Sequence, residues 1–236
     1  MQGIPARFAD LGRVAVISPH LDDGVFGCGE LLAARPGALL ITVFAGVPAG
    51  GQAPDWDRRC GFEGARQAVE ARRQEDARAA RVLDVEPVWL DLVDSQYGQP
   101  CAPADVAARL APQLAGQRID TVLIPLGLFH SDHALVHEGA LLQRRVDRGR
   151  RWVAYEDALY RRMRGVVQSR VAELARRGIR ATPWAAADDR AAQRKQEAVR
   201  CYASQLRAFG EGGYDDTALP ERYWLLDDEE GGSERR

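Results

Sequence analysis

Residues 14–24, with the sequence VAVISPHLDDG, decide the fold of this chain. A short β-branched apolar run that ends in polar residues is typical of a buried strand whose carboxyl end opens into a loop. In open α/β sheets, ligands bind at that edge. The loop carries one imidazole and two adjacent carboxylates, those of His20, Asp22 and Asp23. We therefore predict a functional loop here, although either aspartate could instead serve as the N-cap of the following helix.

The histidines of the chain are unevenly distributed. There are only four, and three of them fall within residues 130–137, directly after a second strand-like run at 121–126. Two polar loops, each following a predicted strand, therefore hold all the imidazole groups, and we expect them to share a metal site. The alternative is a set of helix-capping residues and ordinary surface histidines. For His137 we expect a position behind the ligands or at the surface, because the glutamate of an H-E-x-x-H motif is missing.

The remaining sequence alternates strand-like and helical segments. This rhythm is typical of an α/β fold with a doubly wound, mostly parallel sheet and helices on both faces. Further strands are predicted at 38–44, 87–90 and 152–155, and helices at 24–34, 63–83, 103–114 and 191–209. Pro112 is expected to kink or end its helix. The pattern at 165–189 is weaker, with one helix and a short strand near 179–182. We predict a single domain over residues 1–226 and a charged, disordered tail over residues 227–236.

The composition argues against several classes of protein. The chain has 236 residues, 46% of them hydrophobic, which is enough to bury a sizeable core. Its net charge of −2 gives no reason to expect a nucleic-acid partner. No apolar run approaches the ~20 residues that span a bilayer, and the N-terminus lacks the pattern of a signal peptide. The four cysteines are scattered, which indicates reduced thiols. We expect a cytoplasmic protein with a small-molecule ligand, and the sequence leaves homo-oligomerisation open.

A long segment rich in glycine and proline, residues 45–61, follows the predicted strand at 38–44. Loops longer than about 12–15 residues without secondary structure are usually functional or disordered. Because this segment leaves the same edge of the sheet as the His20 loop, we interpret it as a lid or a substrate-binding wall. Trp56 is its candidate substrate contact.

The residue types of the two loops suit zinc chemistry. Zinc binds histidine nitrogen and carboxylate oxygen, and catalytic sites commonly leave one position for water. His20, Asp23 and one histidine of residues 130–133 supply such a triad, in which the ion lowers the pKa of its water to about 7. Asp22 is then free to take that proton and pass it to a leaving group. The other histidine, oriented by Asp132, is suited to donate to an oxyanion.

Together, P-H-L-D-D at 19–23 and H-S-D-H at 130–133 resemble the motifs of the PIG-L/LmbE-like family of zinc-dependent N-acetylglucosaminyl de-N-acetylases. The resemblance covers most of the chain. It implies a Rossmann-like α/β fold, Zn²⁺ or a similar divalent ion, and removal of an N-acetyl group from an amino sugar or N-acetylglucosaminyl glycoside. It also implies the roles of six residues: metal ligation by His20, Asp23 and His133, a general base at Asp22, and an oxyanion-stabilising His130 with Asp132 as its partner.

Further residues resemble substrate contacts of the same family. The R-x-x-E pattern that starts at Arg72 suggests that this arginine reaches the sugar. The alternative is that Arg72 is a charged side chain on the solvent-exposed face of its helix. Asp94 resembles a carboxylate that binds sugar hydroxyls, and Tyr97 is a candidate contact beside it. Two positions depart from the family pattern: Leu21 stands in place of the common proline, and Gly24 in place of the common glutamate. Neither departure removes a metal ligand or the base, so they bear on the identity of the substrate more than on the reaction.

Two rival functions remain open at this stage. The first is an amidase that cleaves a sugar-linked thiol conjugate, which would release a mercapturic acid instead of acetate. The second is a metal-free module that binds a sugar or a nucleotide. Nucleotide binding is disfavoured because the G-x-x-G-x-G order at residues 24–29 reverses the dinucleotide fingerprint.

Overall fold

The computed structural model describes residues 8–184 and 189–228, in which seven strands form one sheet between two layers of helices. The strands are β1 (Val14–Ser18), β2 (Leu39–Thr42), β3 (Glu86–Trp89), β4 (Thr121–Pro125), β5 (Arg151–Tyr155), β6 (Ile179–Trp184) and β7 (Tyr223–Asp228). The helices are α1 (Asp23–Ala33), α2 (Asp55–Arg59), α3 (Ala65–Leu83), α4 (Pro103–Ala115), α5 (Ser131–Val146), α6 (Val166–Arg176), α7 (Asp189–Val199) and α8 (Ala203–Phe209).

The strand order explains where a ligand can bind. The order is β3-β2-β1-β4-β5-β7-β6; β7 is antiparallel to both β5 and β6, and the other pairs of described strands are parallel. From β1 the chain builds outward through β2 and β3, and then returns to place β4 on the other side of β1. The carboxyl ends of β1 and β4 therefore flank the point where the winding reverses, which is the usual ligand position in such sheets. The predicted α/β fold with a mostly parallel sheet is confirmed.

Alternate side chains of β1 belong to two separate hydrophobic cores, one on each face of the sheet. Val14 and Val16 of β1 pack with α1, α3 and α7, whereas Ala15 and Ile17 pack with α4, α5 and α6 on the other face. A strand that is covered on both faces has to be apolar throughout. This requirement accounts for the uninterrupted apolar run before Ser18. In the described part of the chain, no helix combines the length and the apolar character needed to cross a membrane.

The predicted helix over residues 191–209 is wrong in its continuity, because two helices, α7 and α8, occupy this region. Carboxylates of α3 hold the segment at the break. Glu75 accepts hydrogen bonds from the backbone N–H and the hydroxyl of Ser204, at 2.8 and 2.7 Å, and so caps α8. The Tyr202 hydroxyl donates to Asp76 at 2.7 Å. These tertiary contacts replace the local hydrogen bonds that would continue α7.

Two further predictions need correction. Helix α4 continues through Pro112 to Ala115, so this proline does not end its helix. Strand β7 was not predicted, and it extends two residues into the segment expected to be a tail, where Asp227 and Asp228 pair with β6. Residues 229–236, the rest of that expected tail, lie outside the described residues.

A buried ion pair stabilises a bend in α1. The helix departs from helical geometry at Cys28, with φ −135° and ψ 17°. Just beyond the bend, the N–H groups of Glu30 and Leu31 donate to the Glu221 carboxylate at 2.8 and 3.2 Å. The ammonium of Lys195 lies 2.8 Å from the same carboxylate, and both side chains are almost fully buried. The ammonium charge of Lys195 thus offsets a buried negative charge that caps the second part of α1.

Replacement of this lysine provides a test of that role. Lys195→Met keeps much of the side-chain volume but leaves the Glu221 charge buried without its cation, so we expect a loss of about 3–5 kcal/mol in the free energy of unfolding. The measurement is urea denaturation at pH 7. Arg66→Met is the matched control, because the Arg66–Glu70 pair is half exposed and should contribute less than about 1 kcal/mol. Equal losses in the two variants would contradict this account.

Candidate active site

The loops after β1 and β4 meet at the carboxyl edge of the sheet. His20 follows β1, whereas His130 and His133 stand at the start of α5, directly after the β4 loop. The three imidazole ring centres form a nearly equilateral triangle, with separations of 5.3, 5.4 and 5.4 Å. Residues that are more than 100 positions apart in the sequence are therefore neighbours, because β1 and β4 are paired strands.

One carboxylate oxygen lies at the centre of the first donor cluster. Oδ2 of Asp23 accepts a hydrogen bond from the backbone N–H of His20 at 2.9 Å. The same oxygen lies 3.1 Å from Nδ1 of His20 and 3.1 Å from Nε2 of His133. Behind His133, its Nδ1 lies 2.6 Å from Oδ1 of Asp157. The imidazole of His133 is thus held between two carboxylates.

A second carboxylate contacts the opposite side of His20. Oδ2 of Asp132 lies 3.1 Å from Nε2 of His20 and accepts a hydrogen bond from the hydroxyl of Ser95 at 3.0 Å. The hydrogen bond between Asp132 and His130 is made by the backbone N–H of Asp132, which donates to Nδ1 of His130 at 3.2 Å. The predicted orientation of His130 by the Asp132 carboxylate is therefore corrected. That carboxylate holds His20, because the first turn of α5 directs it across the cleft.

The charge of this region favours a bound cation. Both ring nitrogens of His20 and both of His133 face carboxylates, and a neutral imidazole can donate from only one nitrogen. Burial lowers the pKa of His133, but the charge of Asp23 and the hydrogen bond to Asp157 outweigh it and raise the pKa to about 9. The pKa of His20 is also raised, because its contacts with two carboxylates outweigh its burial. Buried carboxylates that draw protons onto histidines are suited to a divalent metal ion. These residues therefore fit the Zn²⁺ or similar ion that the family resemblance implies.

Two overlapping sets of donors could hold that ion. Within each set the donor atoms lie within 4.8 Å of one another, and the sets are His20, Asp23 and His133, and His20, His130 and Asp132. Because His20 belongs to both, a single ion would select one of them. A carboxylate behind a ligating histidine fixes its orientation and raises its basicity. Asp157 supplies that support to His133, which favours the first set.

Asp22 differs from its neighbour in having no hydrogen-bonded histidine. It occupies the N-cap position of α1, but its side chain makes no capping hydrogen bond, so the helix-cap interpretation does not account for its carboxylate. Only 6% of the residue is exposed, and it lines the cavity between the two loops. Burial, and then the negative charge of Asp23, raise the pKa of Asp22 to about 8. This carboxylate is therefore able to exchange a proton near neutral pH.

All four candidate substrate contacts line the same cavity, which has a volume of about 330 Å³; they are Trp56, Arg72, Asp94 and Tyr97. Two of them are held by Asp57, a fully buried residue of α2 that was not among the predicted site residues. Arg72 donates to Oδ1 of Asp57 at 2.6 Å, and the Tyr97 hydroxyl donates to Oδ2 at 2.8 Å. Arg72 is therefore not a solvated helix charge, and its contact with a sugar stays a prediction. The Asp94 carboxylate lies 3.7 Å from Nε2 of His20.

The segment predicted as a lid contains a helix. Residues 55–59 form α2, and an isolated bridge joins Gln52 to Gly64 at the end of the segment. Trp56 packs its ring against Phe209 of α8, with 5.1 Å between the ring centres, while it lines the cavity. The segment is thus a wall of the cavity, and its movement as a lid stays a prediction.

Sequence reasoning missed two residues that follow β5. Asp157 supports His133, and Tyr160 lines the cavity with its ring centre 5.1 Å from that of His133. The acidic pair at 156–157 after a predicted strand was the available signal, because β5 lies beside β4 and ends at the same edge. His137 was expected behind the ligands or at the surface. It is fully buried, donates from Nδ1 to the carbonyl of Pro125 at 2.8 Å, and belongs to neither donor set.

Comparisons with known proteins agree with this architecture. The family model for GlcNAc-PI de-N-acetylase, PIG-L, matches residues 15–143. The 2′-N-acetylparomamine deacetylase of Streptomyces fradiae is 33% identical over 214 residues, which cover 82% of this chain and 74% of that protein. The crystal structure of the A40926 pseudoaglycone deacetylase matches with a TM-score of 0.75 at 24% identity, covering 94% of this chain and 99% of the other. The zinc-inhibited form of a teicoplanin deacetylase matches with a TM-score of 0.77 at 21% identity, covering 92% and 98%. These two structural matches establish the fold.

The two donor sets make different predictions for the histidines of α5. Catalytic zinc sites commonly have three protein ligands, and His133→Ala or Asp23→Ala would leave the first set with two. Each variant should therefore contain less zinc than the wild type, for which we expect about one equivalent. His130→Ala should keep its zinc. The metal content can be measured by plasma emission spectrometry after dialysis. Full zinc content in His133→Ala together with a loss in His130→Ala would assign the ion to the second set.

Asp157 offers a test that does not depend on activity. Asp157→Asn keeps the shape of the side chain but removes the charge that supports His133, so we expect zinc affinity to fall by about 10- to 100-fold. Competition with a chromogenic chelator measures this affinity directly. Glu156→Gln is the matched control, because it neutralises the adjacent buried carboxylate, which is hydrogen-bonded to Trp224 instead of a candidate ligand. Unchanged zinc affinity in Asp157→Asn would show that His133 needs no such support.

Proposed function

Because this chain belongs to the PIG-L family of de-N-acetylases, we propose that it hydrolyses the N-acetyl group of an amino sugar or N-acetylglucosaminyl glycoside with the help of a divalent metal ion. The observation that carries the proposal is the position of the Asp23 carboxylate. One of its oxygens lies 3.1 Å from a nitrogen of each of two histidines, at the base of a cavity that Asp22 also lines. The relative named for 2′-N-acetylparomamine supports an N-acetylated amino sugar as the substrate class.

The proposed metal ligands are His20, Asp23 and His133. Nitrogen and carboxylate donors of this kind suit Zn²⁺, and their donor atoms lie within 4.8 Å of one another. When bound, the ion would polarise the acetyl carbonyl and increase the acidity of water.

Asp22 is the proposed general base and acid. As the carboxylate without a hydrogen-bonded histidine, it takes a proton from the attacking water while the oxygen of that water bonds to the acetyl carbon. It then delivers the proton to the sugar nitrogen as the carbon–nitrogen bond breaks, and acetate and a free amine result. The pKa of Asp22, about 8 without the opposing charge of a metal, lies close enough to neutrality for transfer in both directions.

His130 is suited to stabilise the oxyanion that develops on the acetyl carbonyl. Its Nδ1 accepts the N–H of Asp132, so the proton of the neutral ring is on Nε2. Burial, together with the charges of His20 and His133, lowers the pKa of His130 and keeps the ring neutral. A neutral ring with a fixed tautomer presents one defined donor to the cavity. Such a preorganised donor stabilises developing negative charge without reorganisation.

A panel of N-acetylated sugars and glycosides tests the activity itself. The assay detects new primary amines with a fluorogenic reagent and measures acetate separately. Release of both in equal amounts is the expected result. Release of a mercapturic acid from a sugar-linked thiol conjugate, without acetate, would favour the amidase alternative. Binding without turnover of any compound would favour the binding module.

The two adjacent aspartates provide the sharpest mechanistic test. Asp22→Asn removes the base but keeps the shape, so it should bind zinc and substrate normally and lose roughly 10²- to 10⁴-fold in kcat. Asp23→Asn should bind zinc more weakly, and added zinc should restore part of its activity. Each variant therefore serves as the control for the other.

The pH profile supplies a second readout for Asp22. Only the carboxylate form accepts a proton, so kcat/KM of the wild type should fall as the pH drops through the pKa of Asp22. The residual activity of Asp22→Asn should lack this acidic limb. Near wild-type turnover in zinc-loaded Asp22→Asn would exclude the assignment.

A further inference from the structure

Phe129 is an apolar side chain held outward beside the active site. It precedes His130 and is 69% exposed. Its φ of +57° places it in the left-handed region, which is unfavourable for a residue other than glycine. The turn is fixed on both sides, because the N–H of Leu128 donates to Asp157 at 3.0 Å and the N–H of His130 donates to the carbonyl of Leu128 at 2.6 Å. The fold therefore maintains an exposed aromatic ring at a backbone cost.

The ring of Phe129 continues an aromatic surface that starts at the proposed metal ligand. Tyr160 lies edge-on to His133, with 5.1 Å between ring centres, and it lines the cavity. Phe129 lies 5.7 Å further along, with its ring inclined by 34° to that of Tyr160. We call these two residues the aromatic ridge. It leads from the reaction centre to solvent in two ring-to-ring steps.

The surface beyond the aromatic ridge is positively charged. Phe129 also borders a hollow of about 420 Å³ to which Arg164, Arg170 and Arg176 contribute. Glu173 is the acidic residue of this hollow, and its carboxylate is paired with Arg170 at 2.8 Å. A cationic group bound over Phe129 would thus face like charges. A neutral aromatic ring would meet no such penalty.

We propose that the aromatic ridge is the subsite for the aglycone, and that the preferred aglycone is an aromatic or apolar ring without positive charge. This inference rests on the proposed function, because it places the N-acetylated sugar in the cavity and the next ring over Phe129. Aromatic rings attract one another in offset or edge-to-face arrangements beyond the effect of buried area alone. An exposed ring next to the reaction centre supplies that interaction only when a substrate covers it.

Steady-state kinetics on three N-acetylglucosaminyl glycosides test the proposal. The aglycones are methyl, p-nitrophenyl and a cationic aminocyclitol. The wild type should have its lowest KM for the p-nitrophenyl glycoside. Phe129→Ala should raise that KM by roughly 5- to 10-fold, the factor expected for one lost aromatic contact, with kcat unchanged. The methyl glycoside should show no change in either constant.

Two further variants separate the ring from the turn. Phe129→Gly relieves the left-handed backbone while removing the ring, so it should behave like Phe129→Ala if the ring binds the aglycone. Phe129→Tyr keeps a ring and should restore the wild-type KM. Val146→Ala is the matched control, because it removes an apolar side chain that is 79% exposed at the far end of α5, and it should change nothing.

The outcomes distinguish this proposal from the proposed function. If the wild type deacetylates none of the three glycosides, the proposed function fails. If it deacetylates them but Phe129→Ala affects the methyl and p-nitrophenyl glycosides equally, only the aglycone subsite is overturned. A lowest wild-type KM for the cationic glycoside would overturn the preference for an uncharged ring.

Discussion

His133 is held between Asp23 and Asp157, and the geometry of the site depends on this chain of contacts. The three residues come from the ends of three strands that lie side by side, β1, β4 and β5. Asp157 uses its other oxygen to hold the N–H of Leu128 in the β4 loop. A single buried carboxylate thus orients an imidazole and fixes the turn that exposes Phe129. The order of the strands, more than any one loop, brings these groups within hydrogen-bonding distance.

The same contacts set the charge balance of the site. Asp132 and Asp157 are nearly inaccessible to solvent, and their charges are offset by histidines instead of arginines. Arg72 is paired with Asp57, and its positive charge acts on the site only from a distance, where it lowers the pKa of Asp22 against the effect of burial. Uncompensated buried carboxylates are costly, and a divalent cation is the most compact way to offset several of them at once. On the proposed function, a bound divalent ion would take over the part that the histidines' positive charge has beside these carboxylates.

Much of this architecture could be predicted from the sequence, for a definite physical reason. Strands that are buried on both faces leave continuous apolar runs, and the polar residues after such runs in β1 and β4 mark the edge that binds ligands. Local patterns do not report tertiary capping, which is why the break between α7 and α8 depends on Glu75 and was missed. The charged end of β7 resembles a tail until its pairing with β6 is known. The left-handed backbone of Phe129 likewise has no sequence signal, because glycine is the residue that normally marks it.

The different roles proposed for Asp22 and Asp23 follow from a difference of one position at the start of α1. Asp22 is buried and the Asp23 side chain is only 16% exposed, and burial alone raises both pKa values. In Asp23, the charge and hydrogen bond of His133 and the hydrogen bond of His20 outweigh burial, so its pKa falls well below the usual range. Asp22 has no such hydrogen bond and faces the charge of Asp23, so its pKa rises to about 8. Two identical groups whose pKa values are driven apart can divide the work of an active site, one as a fixed anion and the other as a proton carrier. The backbone turn before α1, which directs Asp23 toward the histidines and Asp22 toward the cavity, makes this division without any difference in side-chain chemistry.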